Sequence, residues 1–247
     1  MKKIIILLLV QFLSQISVAQ YFGQNKVNYD QFDFKMYNTP HFNIYNYVEN
    51  DTALFNIGQQ AEKWNLRHFS IFHDTLKNNP IILYNNHPDF MQTTAISGSV
   101  GVGTGGVTES GRTRVVIPFM VSNKETDHVL GHEMVHVFQY NMVKKNDSLS
   151  LQNLMYVPLW MIEGLAEYLS IGPVDNKTAM WMRDAVIHDD IPTIEDMTKK
   201  AYKYFPYRYG HAFWSFIGGV WGDRAIYPLF ENTLKFGPEK AIERTFN

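Results

Sequence analysis

Residues 129–138 combine an almost wholly apolar composition with ionisable side chains at helical spacing. The periodicity of the surrounding sequence predicts a helix over residues 124–143 that is apolar on most of its circumference and therefore buried. His132, Glu133 and His136 lie inside this helix. Because buried groups of this kind are costly without partners, the fold must give these three side chains something to bind.

The spacing of the two histidines favours a shared metal ion. Positions i and i+4 of a helix lie on one face, so His132 and His136 can bind the same ion. Glu133 points about 100° around the helix axis, from where it can hold a metal-bound water without being a ligand. The alternative is a buried, hydrogen-bonded pair of histidine and glutamate with no ion.

A second apolar helix, predicted over residues 157–171, supplies two more carboxylates, Glu163 and Glu167. An unpaired buried carboxylate is expensive, although two ordinary surface glutamates are the alternative. Two histidines and one of these glutamates make a three-ligand site with an open fourth position, as in catalytic zinc sites. The other glutamate can then accept the free N–H of a ligand histidine.

The composition excludes several classes of protein. The chain has 247 residues, no cysteine and a formal net charge of −2. It therefore forms no disulfide, cysteine-ligated zinc site or iron–sulfur cluster and has no thiol nucleophile. The near balance of 22 basic and 24 acidic residues leaves no basic footprint for nucleic acid. The glycine-rich segment 97–111 lacks the lysine of a phosphate loop, and we interpret it as a long hairpin loop.

The order of the predicted elements indicates an α+β domain, because strands come first and helices follow. Strands are predicted around a turn within 32–47, at 80–84 and at 114–119, and helices at 51–76, 124–143, 157–171, 176–188, 208–221, 224–235 and 238–246. We expect a small N-terminal mixed β-sheet with one helix, followed by a helical half that carries the metal site.

The N-terminus has the pattern of a secretory signal peptide. Two lysines precede an apolar run at residues 4–10, and small residues before Gln20 offer a cleavage site. A membrane anchor is the alternative, but spanning a bilayer takes about 20 apolar residues. We therefore expect the loss of residues 1–19, a secreted or periplasmic location, and no stable membrane span in the mature chain 20–247.

The pair of motifs resembles that of the gluzincin metallopeptidases. The motif residues are His132-Glu133-x-x-His136 and Trp160-x-x-Glu163-Gly164-x-Ala166. This resemblance implies one zinc ion (Zn²⁺) per chain, bound by two histidines and Glu163 as the third ligand. It also implies that Glu167 orients a ligand histidine.

Residues 29–246 are similar to the peptidase MA-like domain of exported bacterial proteins, which is often found before a Tol-like β-propeller. The segments 204–214 and 219–223 share in this similarity. The resemblance implies a zincin-like fold for a domain that spans residues 20–247. Because such domains usually continue beyond this point, we also expect a C-terminal truncation and a missing β-propeller.

The resemblance implies a hydrolytic mechanism with Glu133 as general base beside a zinc-activated water. Tyr207 and His211, spaced i and i+4 at a helix start, are the candidate donors to the oxyanion. Tyr209 ranks third, and a packing role for all three aromatic side chains is the alternative.

Two further expectations concern the substrate. His128, one turn before His132, is either a solvated first-turn histidine or a contact to the substrate. By the resemblance, residues 111–119 supply the edge strand that pairs with an extended peptide, and the glycine-rich segment covers the cleft.

The three-ligand motif, the signal-peptide pattern and the resemblance together indicate an exported zinc metallopeptidase that hydrolyses a peptide or protein substrate. The alternative is a non-catalytic module of the same fold that serves in binding or assembly in the cell envelope. The intact Glu133 favours catalysis, because loss of function would tend to remove the base.

The signal peptide gives the first prediction. We expect N-terminal sequencing of exported protein to begin at or near Gln20, because the apolar run and its flanks have the length of a cleaved signal. Recovery of protein that retains Met1 from the membrane fraction would instead identify an anchor.

Overall fold

The computed structural model describes residues 29–98, 100–145 and 150–247, apart from the side chain of Met155, so the predicted signal peptide lies outside the described residues. The strands are β1 Lys35–Asn38, β2 Phe42–Asn46, β3 Asn79–Tyr84, β4 Val107–Thr108 and β5 Val115–Pro118. The helices are α1 Asp51–Phe72, α2 His87–Phe90, α3 Asn123–Lys144, α4 Leu151–Tyr156, α5 Leu159–Ile171, α6 Asn176–Ile187, α7 Ile194–Lys199, α8 Pro206–Trp221, α9 Ile226–Phe236 and α10 Pro238–Phe246. This order of a sheet followed by helices confirms the predicted α+β class.

The five strands form one mixed sheet in the order β1-β2-β3-β5-β4. The three inner strands are parallel, and β1 and β4 pair antiparallel on the outside. The expectation that residues 111–119 supply the edge strand is wrong, because β5 lies between β3 and β4. Its fully buried run, Val115 to Ile117, is typical of an inner strand covered on both faces. The edge strand next to β5 is β4, inside the glycine-rich segment.

Helix α1 packs on α3 through a glycine. A Cβ atom built at Gly131 would lie 2.6 Å from the ring of Trp64, whose Nε1–H donates to Asp127 Oδ1 at 2.8 Å. Burial lowers the pKa of His68 to about 3, so this imidazole is neutral. Its Nε2 donates to the Gly131 carbonyl at 3.1 Å, since a carbonyl oxygen only accepts. These contacts fix one side of α3 against the sheet-bearing half.

Helices α5 and α8 approach each other through two more glycines. A Cβ atom at Gly164 would lie 2.3 Å from the Gly210 carbonyl carbon, and one at Gly210 would lie 2.0 Å from the Trp160 carbonyl oxygen. Backbone therefore lies directly on backbone at this crossing. The close approach brings the first turn of α8 beside the carboxylates of α5.

Several helix boundaries differ from prediction for identifiable reasons. Helix α1 ends at Phe72, where His73 takes a left-handed conformation with φ 53°. Helix α8 begins at Pro206 rather than 208, because proline is well suited to the first helical position. The short helices α2, α4 and α7 were not predicted. None of the helices in the described ranges is both long and apolar enough to cross a membrane.

The crossing of α5 and α8 gives the second prediction. We expect Gly210→Ala to lower the free energy of unfolding by about 1–3 kcal/mol, because its methyl group overlaps the Trp160 carbonyl. The control is Gly219→Ala in the same helix, where nothing lies within 4 Å of the added Cβ atom. This control should gain up to about 1 kcal/mol from helix propensity. Urea unfolding measures both, and equal stability of the two variants would contradict the close contact.

Candidate metal centre

Helices α3 and α5 bring His132, His136 and Glu163 together. His132 Nε2 lies 3.1 Å and His136 Nε2 lies 3.4 Å from the same oxygen, Glu163 Oε2. The three ligand atoms are within 4.8 Å of one another, which is close enough to surround one metal ion. The helical spacing places both imidazoles on one face of α3, and the packing of α5 then supplies the carboxylate.

A second group of potential ligands shares His132 but uses its other ring nitrogen. His132 Nδ1 lies 3.1 Å and His128 Nε2 lies 3.4 Å from Glu167 Oε1. The other oxygen of this carboxylate, Oε2, lies 2.9 Å from the guanidinium of Arg208. A permanent positive charge at that distance disfavours a second cation. We therefore expect a metal ion in the group that contains His136, hereafter the assigned group, and we expect Glu167 to hold His132.

The histidines and glutamates of the centre shift one another's pKa values. Burial alone would lower the pKa of His132, but hydrogen bonds to Glu163 and Glu167 and the charge of Glu133 raise it to about 10. For Glu163 and Glu167 burial acts in the opposite direction and would raise the pKa of each carboxyl group. The neighbouring histidines nevertheless hold both pKa values well below their usual range. Protons on the imidazoles thus neutralise the carboxylates, and a bound cation would take the place of those protons.

Glu133 lies beside the ligands and is held from the sheet. Among the described residues, neither group of potential ligands includes it. Thr108 Oγ1, on the edge strand β4, lies 2.8 Å from Glu133 Oε2 and 2.8 Å from the Glu133 carbonyl oxygen. A Cβ atom at Gly106 would lie 2.8 Å from Glu133 Cγ, so the glycine-rich segment leaves space for this side chain.

Tyr207 is the member of the α8 aromatic set that reaches the ligands. Its ring stacks on His132 with centroids 5.9 Å apart and planes 11° apart. Burial, followed by the charge of Glu163 and a hydrogen bond to it, raises the pKa of the Tyr207 hydroxyl. The hydroxyl is therefore a protonated donor at the rim of the centre.

The structure places the other two aromatic candidates elsewhere. His211 is buried and donates from Nε2 to the Gly172 carbonyl at 2.8 Å, at the end of α5. His211 lies one helical turn after Tyr207 on α8, and its side chain therefore contacts the end of α5 and not the ligands. Tyr209 packs edge-on against Trp181 and Tyr204. These contacts match the packing alternative for both residues.

Four residues around the centre were missed from the sequence: Thr108, Gln139, Tyr140 and Arg208. Gln139 Oε1 lies 2.8 Å from His136 Nδ1, and its amide nitrogen donates to the Ile162 carbonyl at 3.2 Å. Tyr140 is partly buried near Glu133 and Glu163, whose charges add to burial in raising its pKa. The spacing of Gln139 and Tyr140 from His136, i+3 and i+4, was a usable signal. No pattern in the neighbouring sequence predicted that Thr108 or Arg208 would lie at the centre.

Residues 111–198 match a protein family described as BSP, peptidase of plants and bacteria. The matched segment contains both histidines of the centre, Glu133 and the two glutamates of α5, and it ends before Tyr207. No curated protein sequence matches the chain. The family match supports a peptidase-like domain built around α3 and α5.

The two ligand groups give the third prediction. We expect the purified protein to hold one divalent metal ion per chain, and His136→Ala to lose it on dialysis, because His136 belongs only to the assigned group. The matched control is His128→Ala, which removes a member of the other group alone and should retain the ion. Elemental analysis measures both. Loss from the His128 variant with retention in the His136 variant would move the site to Glu167.

Proposed function

We propose that this chain is an exported, zinc-dependent peptidase of the gluzincin type. The observation that carries the proposal is the placement of Glu133, which lies beside His132, His136 and Glu163 without being a ligand and is held there by Thr108. A purely structural site has no use for a positioned free carboxylate. The match of this segment to a peptidase family supports the same function.

The donor set fits zinc. Two imidazole nitrogens and one carboxylate oxygen are ligands that zinc accepts, and three protein ligands leave the open position of a catalytic site. A cation is also favoured by the local charge, because the carboxylates of Glu163 and Glu167 lie within 3.4 Å of histidine nitrogens and Arg208 compensates only Glu167. Zinc bound to His132, His136 and Glu163 would supply Lewis-acid polarisation of the scissile carbonyl and an acidified water.

The residues of the chain supply the remaining steps. The Thr108 hydroxyl lies 2.8 Å from both Glu133 Oε2 and the Glu133 carbonyl oxygen, and it has one hydrogen to share between them. In the proposed mechanism Glu133 Oε1 takes the proton of the attacking water. Glu133 then returns this proton to the leaving amine. Tyr207 stands beside His132 as a neutral donor and is suited to stabilise the oxyanion of the tetrahedral intermediate.

The substrate proposed is an extended peptide that pairs with β4. Within the described part of the chain, this strand pairs with β5 and has no strand on its other side, and it carries Thr108, the residue that holds Glu133. A peptide that adds to this edge by main-chain hydrogen bonds would lie directly along the catalytic carboxylate. Since the signal-peptide pattern directs the chain out of the cytoplasm, the proposed substrates are peptides or proteins in the periplasm or outside the cell.

Glu133→Gln gives the fourth prediction and tests the proposed function. We expect zinc content and melting temperature to stay unchanged, because Gln is nearly isosteric and Thr108 can donate to its amide oxygen. The amide accepts no proton at neutral pH, so kcat/KM on peptides from a proteome digest should fall by at least about 10²-fold. Product analysis by mass spectrometry measures the turnover.

The comparison variant is Glu163→Gln, which should lose zinc as well as activity because it removes a charged ligand. Undiminished cleavage by the Glu133 variant would refute the assigned base. A fully zinc-loaded wild type that cleaves no peptide in the digest would favour a non-catalytic module instead.

A further inference from the structure

We infer that Gln139 is a positioning residue of the metal centre, which sets the tautomer of His136 and ties this ligand to the backbone beside Glu163. The inference rests on the metal-binding part of the proposed function. It concerns a neutral side chain that is not itself a ligand of the metal ion.

The hydrogen bonds assign the orientation of the Gln139 amide. Its nitrogen lies 3.2 Å from the Ile162 carbonyl oxygen, which accepts only, so the nitrogen is the donor there. The amide oxygen therefore faces His136 Nδ1 at 2.8 Å and accepts the hydrogen from it. Because Nδ1 carries that hydrogen, the lone pair of a neutral His136 is on Nε2, the nitrogen that faces Glu163 Oε2.

Burial makes this arrangement obligatory. Gln139 is only 1% exposed and lies in the apolar part of α3, where an amide without partners is costly. Both of its polar ends are engaged, one by His136 and one by Ile162. An alternative rotamer would leave a buried donor and a buried acceptor unpaired, so the amide and the imidazole hold each other in place.

The same side chain joins the two helices that carry the ligands. Gln139 follows His136 by one turn on α3, and Ile162 precedes Glu163 on α5. The connection from His136 through Gln139 to Ile162 therefore sets the position of one histidine relative to the third ligand. Apolar contacts between the helices are not directional, so they alone do not fix the distance between His136 and Glu163.

The partners of the two histidines differ in charge. His132 Nδ1 faces the carboxylate of Glu167, which Arg208 neutralises, whereas His136 Nδ1 faces a neutral amide. The amide fixes the ring without adding a further negative charge to a centre that already buries several carboxylates. Gln139 thus orients the ring of His136 by hydrogen bonding alone, whereas Glu167 orients the ring of His132 by its position and its negative charge.

Zinc affinity tests the inference without relying on peptidase activity. We expect Gln139→Met, which keeps the length of the side chain but removes both hydrogen bonds, to weaken zinc binding by about 10 to 100-fold. Gln139→Glu keeps the acceptor for His136 but loses the donor to the Ile162 carbonyl, so its zinc affinity should lie between those of Gln139→Met and the wild type. Competition with a chromophoric chelator measures the dissociation constants at neutral pH.

A buried amide outside the centre provides the matched control. Asn65 is 4% exposed and accepts from the Leu76 backbone N–H at 3.3 Å. Asn65→Leu should lower the melting temperature while leaving zinc affinity unchanged. If the wild type binds zinc and Gln139→Met binds it equally tightly, the inference is overturned. A wild type that binds no zinc would instead overturn the proposed function.

A measurement on the unaltered protein remains decisive even where a Gln139 variant fails to fold. Long-range ¹H–¹⁵N correlation spectra of the zinc-loaded wild type report which nitrogen of each histidine carries the hydrogen. We expect His136 to show a protonated Nδ1 and a zinc-bound Nε2. The opposite pattern, with Nδ1 on the metal, would exclude Gln139 as its acceptor.

Discussion

The mutual neutralisation of buried carboxylates and imidazoles between α3 and α5 is the interaction on which the rest of the site depends. Glu163 and Glu167 approach His132 from its two ring nitrogens, in surroundings that would otherwise penalise every one of these charges. Each element nearby contributes to that balance. Arg208 neutralises Glu167. At Glu163 the proposed metal ion would take the place of the protons on the histidines.

This balance requires close helix packing, and glycines provide it. Gly164 and Gly210 let α5 and α8 meet backbone to backbone, Gly131 receives the ring of Trp64, and Gly106 leaves space for Glu133. Where an added Cβ atom would overlap a neighbour, the loss of a side chain costs helix stability but shortens the distance between elements. The precision of the site is therefore set by residues that carry no functional group.

The parts of the site that could be predicted share one property, which is that their geometry is local to a helix. The i and i+4 spacing of His132 and His136 fixes their common face whatever packs against it. The same spacing did not separate Tyr207, which stacks on His132, from His211, which donates to the Gly172 carbonyl, because the surroundings of each turn depend on the neighbouring helices. Local patterns also could not identify β4 as the edge, since strand order is a property of the whole sheet and not of the strand.

The sequence by itself determined the α+β order of elements, the buried character of α3 and α5, and the chemistry of the residues that they carry, because periodicity and burial cost act over a few turns of chain. Only the tertiary structure decided which glutamate faces which ring nitrogen of His132, that Thr108 holds Glu133, and that Gln139 joins His136 to α5. Those contacts link residues distant in sequence or depend on rotamers fixed by packing, and no local pattern encodes the distance between two helices.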